Sequence, residues 1–404
     1  MNEHDAKLIS LALRAGDARP TILLEDIEGV QAIRSASTSG DVHGYWLLDV
    51  TATEDGRLVV IEANGSNGAT SSIGHHDYHR VQHMCETVCS RGGPTVGEVA
   101  VLAHQDGFHH IPEFYARARA FVSGMEKLGV ACHILAPGEE PKTAAYNVLV
   151  GDIPAIAPLL IRQGQDVNYF GARVAFATNP NLLPALDRHG VATDKLCLSF
   201  FHEGALALLA HDKAAQQEIC MGTPFTPLWN REAMTPEQVV LHVQELHHRG
   251  LAAVVKPNAT SGGTGVRIVP IGTDPAPVVS MIIAETIERY GAGTESTLFP
   301  LRTFEFAQAA LLHRPDGPRL WDLRLELTAS LGRVTARPVM VRVCPAPFST
   351  DFPHDAVVSN LTGRVASTEF ILSSMVVDQV RPGLLDDLVD AGLAWAIQAS
   401  VWNP

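Results

Sequence analysis

Lys256 closes a short apolar strand that includes Val254 and Val255. A loop of small residues follows it, with Thr260, Ser261, Gly262, Gly263, Thr264 and Gly265, before a second apolar run opens at Val266. Glycines leave backbone N–H groups uncovered, and the hydroxyls add short donors, so such a loop can fold closely over a polyanion. Lys256 adds a point charge at the strand end, which suits the holding of phosphates. Clusters of glycine and serine also make ordinary turns. The loop is not of Walker type, because no Gly-Lys-Ser/Thr follows, and Gly263-Thr264-Gly265 lacks the third glycine of a dinucleotide fingerprint.

A second constellation lies far upstream. Residues 45–51 and 58–64 read as strands around the turn Glu54-Asp55-Gly56-Arg57, forming a hairpin. Glu62 and Asn64 are two apart and share a face, while Asp49 sits opposite them on the paired strand. Hard oxygen donors converging in this way suit Mg²⁺, which keeps one or two carboxylates together with nucleotide phosphates. Acids at a solvated strand end are the plainer alternative.

These residues need a scaffold. Strands at 99–103, 131–135, 146–150 and 173–175 alternate with helices at 113–128 and 153–163, which gives a Rossmann-like parallel sheet with covered faces. His104 stands at the C-terminal end of the first of these strands, where ligands favour open α/β sheets, and is a candidate substrate contact. Further on come a helix through Cys220 with a Gly/Pro-marked strand after it, an amphipathic helix at 236–249, a helix at 278–290 and a strand at 302–307. A second hairpin spans 321–343 with its turn at Gly332. Within it Asp322, Arg324 and Glu326 alternate with Leu323, Leu325 and Leu327, so one face is charged and the other apolar. A helix at 382–401 ends the chain.

The run from His75 to Cys89 has the composition of a metal site, and His79 with His83 would share a helix face. Its spacing matches no zinc pattern. A histidine touching substrate is the alternative.

Together these motifs resemble the ATP-grasp superfamily of carboxylate-amine ligases. The loop after Lys256 is similar to the family's phosphate-covering loop, and Asp212-Lys213 before a short helix resembles the entry to its nucleotide lobe, where the lysine contacts ATP. The strand carrying Glu305, Phe306 and Ala307 resembles the hinge that holds adenine. Asp322-Leu323-Arg324, the distant Arg342 and Ser359-Asn360-Leu361 are similar to motifs of ribosomal-protein glutamate ligases, although Gly363-Arg364 stands where those usually carry Gly-Gly. Glu62-Ala63-Asn64 after Asp49 resembles the family's metal site, and the loop with Asn67, Gly68, Ser71 and Ser72 its substrate loop.

That resemblance implies an α/β (α+β) ATP-grasp fold with a Rossmann-like domain before it. The metal hairpin follows the glycine-rich loop in the family but precedes it here, which implies circular permutation, a rearrangement that neighbouring termini tolerate. The expected divisions are 1–93 for the permuted piece, 94–210 for the Rossmann-like domain, 211–300 for the lobe covering the nucleotide and 301–404 for the catalytic lobe. The implied activity is amide formation through an acyl phosphate, using ATP with Mg²⁺ (or Mn²⁺), on small-molecule carboxylates and amines such as amino acids or a small peptide. Arg324 and Arg342 would face the transferring phosphoryl group, unless they serve only as cross-strand ion pairs. A small-molecule kinase of this fold and a non-catalytic nucleotide-binding regulator stay open as alternatives.

Composition narrows the field. The chain has 404 residues, enough for several subdomains, and a formal net charge of −14 argues against a nucleic-acid partner. No apolar run approaches the ~20 residues that span a bilayer. The N-terminus lacks the features of a signal peptide. Six cysteines are few for this length, so a reduced, cytoplasmic protein is expected, with a homodimer left open.

Overall fold

The computed structural model of the chain describes residues 33–38, 44–64, 209, 212–257, 265–290, 301–330, 332–357, 369–371 and 374–402, together with the strands of one parallel sheet between 98 and 197. The fold is α+β and divides into two compact units. One gathers 1–26, 42–45 and 65–207; the other gathers 27–41, 46–64 and 208–404. The second unit therefore takes up the early hairpin as well as the C-terminal half.

That hairpin is β2 (Gly44–Ala52) and β3 (Leu58–Asn64), preceded by β1 (Arg34–Ser37). Gly56 at φ 86 supplies the left-handed turn between its strands. The strands pair antiparallel with one register shift. Asp49 faces Glu62 and Val50 faces Val60, which leaves Ile61 as the extra residue of a β-bulge.

The first unit contains β4 (Glu98–Leu102), β5 (Ala131–Leu135), β6 (Val148–Gly151), β7 (Asn168–Gly171) and β8 (Leu196–Cys197). All pairs are parallel, in the order β5-β4-β6-β7-β8. Alternating strand and helix patterns anticipated this parallel sheet. The strand at 168–171 is additional to the expected set, and the expected strand at 173–175 lies outside the described residues.

In the second unit Asp212 caps α1 (Lys213–Cys220), its carboxylate accepting from Ala214 and Ala215 backbone N–H groups. The strand expected beyond it, near Phe225, is a single bridge to Leu58. Then come β9 (Asn230–Ala233), α2 (Pro236–His248), β10 (Ala253–Pro257), β11 (Arg267–Val269), α3 (Pro275–Tyr290) and β12 (Leu301–Glu305). The strands form an antiparallel sheet in the order β11-β10-β12-β9. Ala253, Val255 and Leu301 point to one face and pack with Val239, Val243 and Leu246 of α2 and with Val279 and Ile282 of α3. By strand alternation Val254, Lys256, Arg302 and Phe304 are left on the other face.

After a small hairpin, β13 (Leu312–Arg314) with β14 (Gly317–Arg319), come the long strands β15 (Trp321–Ser330) and β16 (Arg333–Val343), short β17 (Glu369–Ile371) and α4 (Leu384–Ser400). Gly332 at φ 70 turns β15 into β16. The six-stranded sheet runs β1-β16-β15-β2-β3, with β17 also on β16, so the early hairpin lies beside β15 of its own chain. Leu323, Leu325 and Leu327 are fully buried. The helix α4 comes so close to them that a Cβ on Gly392 would sit 2.6 Å from Leu325 Cδ1. Trp46 and Trp395 meet edge to face at 5.7 Å.

Two adjacent glutamines bind α1 to the hairpin. Gln216 accepts from Ala63 N–H at 2.9 Å and donates back to the Ala63 carbonyl at 2.8 Å, and Gln217 donates to Val60 O at 3.0 Å. Both side chains are buried, so their amides serve as an extra ladder for β3.

Candidate functional site

Lys256 is only 7% exposed, although it ends β10 on the face away from α2 and α3. Its Nζ donates to the Ile61 carbonyl at 3.0 Å and lies 4.3 Å from the Phe304 ring centroid. Ile61 is the bulged residue of β3. The irregularity in the hairpin thus presents a carbonyl to Lys256.

Lys213, the first residue of α1, is likewise buried and donates to Pro257 O at 3.3 Å. Burial pushes both lysines below their ordinary pKa. For Lys256 the value falls to about 8, with the Lys213 charge as the second cause. For Lys213, Glu62 and Asp212 pull the other way without overcoming burial. Two buried cations side by side each raise the cost of the other's charge, and a bound polyanion relieves both.

The acids lie on the hairpin. Asp49 is 3% exposed and accepts Arg324 Nε on Oδ1 at 2.7 Å and Arg324 Nη2 on Oδ2 at 2.8 Å. Arg342 Nη2 reaches the same Oδ2 at 2.7 Å, and the Asn64 amide donates to it at 3.1 Å. Burial would raise the Asp49 pKa, but the two arginines outweigh it and hold the carboxyl below its usual range. Arg342 also donates from Nε to Asp322 Oδ1 at 2.7 Å. Burial works against its charge, yet Asp322 and then Asp49 raise its pKa above the ordinary value.

Asp322, Arg342, Asp49 and Arg324 therefore form a buried chain of alternating sign. Glu62 stands directly opposite Asp49, half-buried, with its charge felt by both lysines. Like charges facing each other across a ladder are destabilising, and the arginines and lysines offset that repulsion.

The donor set fits a hard divalent cation: the Glu62 carboxylate, the Asn64 carbonyl oxygen left over when its amide nitrogen binds Asp49, and Asp49 itself. In this structure Asp49 is engaged by arginine rather than standing open. Among the described residues no group of three His, Cys, Asp or Glu side chains gathers as a metal cluster.

The end of β12 and the segment after it are pinned by the turn of the hairpin. Arg57 Nη1 donates to Glu305 Oε1 at 3.1 Å, Thr53 bridges to Ala309, and Ala310 N–H bonds Ala52 O at 2.8 Å. The backbone N–H groups of Glu305 and Phe306 are spent on the Trp229 and Ala252 carbonyls, both at 2.9 Å. Of Glu305, Phe306 and Ala307, the last is the one whose backbone N–H has no partner among the described residues. Phe306 packs edge to face on Phe352 at 5.0 Å.

Lys213, Lys256, Asp49, Glu62, Asn64, Arg324 and Arg342 are brought together, while Glu305 lies at the turn end of the hairpin, on Arg57. Gly265 is in the left-handed region at φ 71. Ser261, Gly262, Gly263, Thr264, Asn360, Asn67, Gly68, Ser71, Ser72, His104 and the run from His75 to Cys89 lie outside the described residues. Sequence reasoning missed Arg302. It faces Lys256 in register, donates to Asn230 at 3.0 Å and to Glu232 at 2.7 Å, and adds a third cation near Lys213. The alternation of β12 was the available signal. It also missed Arg57, Gln216 and Gln217, which no local pattern marks.

No protein-family model and no curated protein matches the sequence. Among solved structures, similarity is found to a protein assigned as a gamma-glutamylcysteine synthetase from Methylobacillus flagellatus, at TM-score 0.46 and 9% identity, covering 98% of this chain and 93% of that one. A glutathione synthetase-like effector from Globodera pallida, in apo form, gives TM-score 0.33 and 11% identity over 84% and 82%. A RimK domain ATP-grasp protein from Sphaerobacter thermophilus gives 0.29 and 13% over 72% and 99%. The first is thus named as a synthetase, the second as synthetase-like and the third as an ATP-grasp protein. Among the described residues no helix is long and apolar enough to cross a membrane.

Proposed function

We propose that this chain is an ATP-dependent carboxylate-amine ligase that forms an amide on amino acids or a small peptide. One observation carries the reading. Two buried lysines, a carboxylate-and-amide donor set and two arginines, drawn from widely separated stretches of sequence, converge in one cleft. Two adjacent buried lysines held below their ordinary pKa, beside acids and arginines, have the character of a functional site.

In this reading Lys213, Lys256 and the glycine-rich loop hold the ATP phosphates, and the hinge at 305–307 holds adenine. Glu62, Asn64 and Asp49 would hold Mg²⁺, which when bound neutralises phosphate charge. A substrate carboxylate oxygen attacks the γ-phosphorus, the bond to the β-phosphate oxygen breaks, and ADP leaves an acyl phosphate. The amine then attacks the acyl carbon, giving up a proton as phosphate departs. Arg324 and Arg342 face the developing charge, and the protein supplies no nucleophile, so positioning and charge neutralisation carry the rate.

The early hairpin beside β15 supports circular permutation. In the family's order a metal hairpin follows the asparagine loop; in this reading the hairpin at 44–64, paired with β15 of its own chain, is its permuted counterpart. The test is incubation with ATP, Mg²⁺ and the twenty amino acids, reading ADP and new masses. An amide product with ADP is expected. ADP with a phosphorylated product and no amine requirement would make it a kinase, and no turnover would overturn the enzymatic reading.

A further inference from the structure

The charged face of the six-stranded sheet has a direction. Trp321 lies at the end where the hinge docks, its Nε1 donating to Ala310 O at 2.6 Å beside the Ala310–Ala52 bond. Further along β15, Arg324 grips Asp49 at the phosphate centre. Two residues beyond that, about 7 Å on, Glu326 accepts from Arg337 Nε at 2.6 Å. The Glu326 side chain is 2% exposed and that of Arg337 is 12% exposed. Base end and phosphate centre are thus followed by a third charged station, on the side away from the hinge.

Arg337 reaches this face through a backbone irregularity. Arg342 and Arg337 are five residues apart, and strict alternation would set them on opposite faces. The register passes from Arg324↔Met340 to Leu325↔Pro338, leaving Val339 as an extra residue, and Arg337 emerges opposite Glu326 on the charged side. Pro338 lies in the stretch of β16 that neither β1 nor β17 covers, where a missing N–H costs no ladder bond. Bulges of this kind commonly re-aim a side chain beside a site.

Arg337 Nη2 is buried and has no hydrogen-bond partner among the described residues. An unsatisfied buried donor costs about 1–3 kcal/mol, more when charged, so an acceptor brought by a water, an ion or a ligand is favoured there. We propose that Arg337, held by Glu326, binds a second carboxylate on the substrate whose first carboxylate is activated beside Arg324. The assignment rests on the ligase reading of the cleft. A guanidinium matches a carboxylate in shape and charge, and the spacing suits a short dicarboxylic acid or an amino acid bearing an acidic side chain.

The experiment compares binding of glutarate and butyrate by calorimetry, with ADP and Mg²⁺ present, so no turnover is needed. Wild type is expected to bind glutarate at least 10-fold tighter than butyrate. Arg337→Met should erase the preference while leaving ADP affinity within 2-fold. Because Met alone removes a charge partner of buried Glu326, the double variant Glu326→Gln with Arg337→Met, which takes both charges away, is measured beside it. Equal binding of the two acids by wild type, or a preference kept in both variants, overturns the proposal. Absence of ADP release with amino acids, measured separately, counts against the ligase reading alone.

Discussion

Arg324 holds Asp49 with two parallel hydrogen bonds, at 2.7 and 2.8 Å, although β15 and β2 come from opposite ends of the second unit's sequence. A buried fork of this kind is not cheap, because both charges leave water. Its value lies in fixing the arginine beside the acids that face the cleft. Removing the carboxylate in Asp49→Asn is expected to lower unfolding free energy by about 3–5 kcal/mol, since buried Arg324 loses the carboxylate it grips and Arg342 keeps Asp322 alone. Denaturant titration measures it; a midpoint unchanged from wild type would show the pair to be neutral.

The same residue sets an acid limb. With a folded-state pKa below 3.8, Asp49 contributes stability that is fully present above the unfolded value and is lost as pH falls below about 3.8. Thermal unfolding between pH 5 and 2 should show a steep loss in wild type and a shallower one in Asp49→Asn.

Lys256 titrates at about 8 rather than 10.5. Nucleotide phosphates favour its charged form, so ATP affinity should fall as pH rises through 8, and binding near pH 8 should take up a proton. Calorimetry in buffers of different ionisation enthalpy reads that uptake directly. Lys256→Arg keeps the charge at every pH and should flatten the dependence. Stability runs the other way: the unfolded chain binds the extra proton between 8 and 10.5, so unfolding free energy rises with pH across that window.

Glu62 is half-buried and sits across the ladder from an acid. Glu62→Ala should leave the melting temperature within a few degrees yet lower ADP release at least 100-fold, and chelating the divalent ion should silence the wild type to the same degree. Full activity in this variant would remove Glu62 from the site.

Gly392 makes room for Leu325. A methyl group there would approach Leu325 Cδ1 to 2.6 Å, so Gly392→Ala should destabilise by about 1–3 kcal/mol. Combining it with Leu325→Ala should recover part of the loss, as a double-mutant cycle would show.

Much of this protein is written locally. The Asp49 and Glu62 hairpin, the helix through Cys220 and the alternation of Asp322, Arg324 and Glu326 with leucines could be read as they stand, because turn chemistry and the helix and strand periods act over a few residues. The parallel sheet followed from alternating strand and helix patterns for the same reason. Other features needed contacts made over long separations. Asp49 and Glu62 looked like two open ligands, but only the folded sheet sets Arg324 and Arg342 on Asp49. Arg302 became visible once β10 and β12 were in register, and the buried Gln216 and Gln217 once α1 lay on β3.

At Lys256 the two kinds of information meet. Its residue type and the loop after it raised the expectation of phosphate binding from sequence alone. Its lowered pKa, its bond to the bulged Ile61 and its place over Glu62 came from tertiary structure. A single inserted residue in β3, and another in β16, shifts the side-chain period by one, and no pattern of period two can foresee which face the next charge will take.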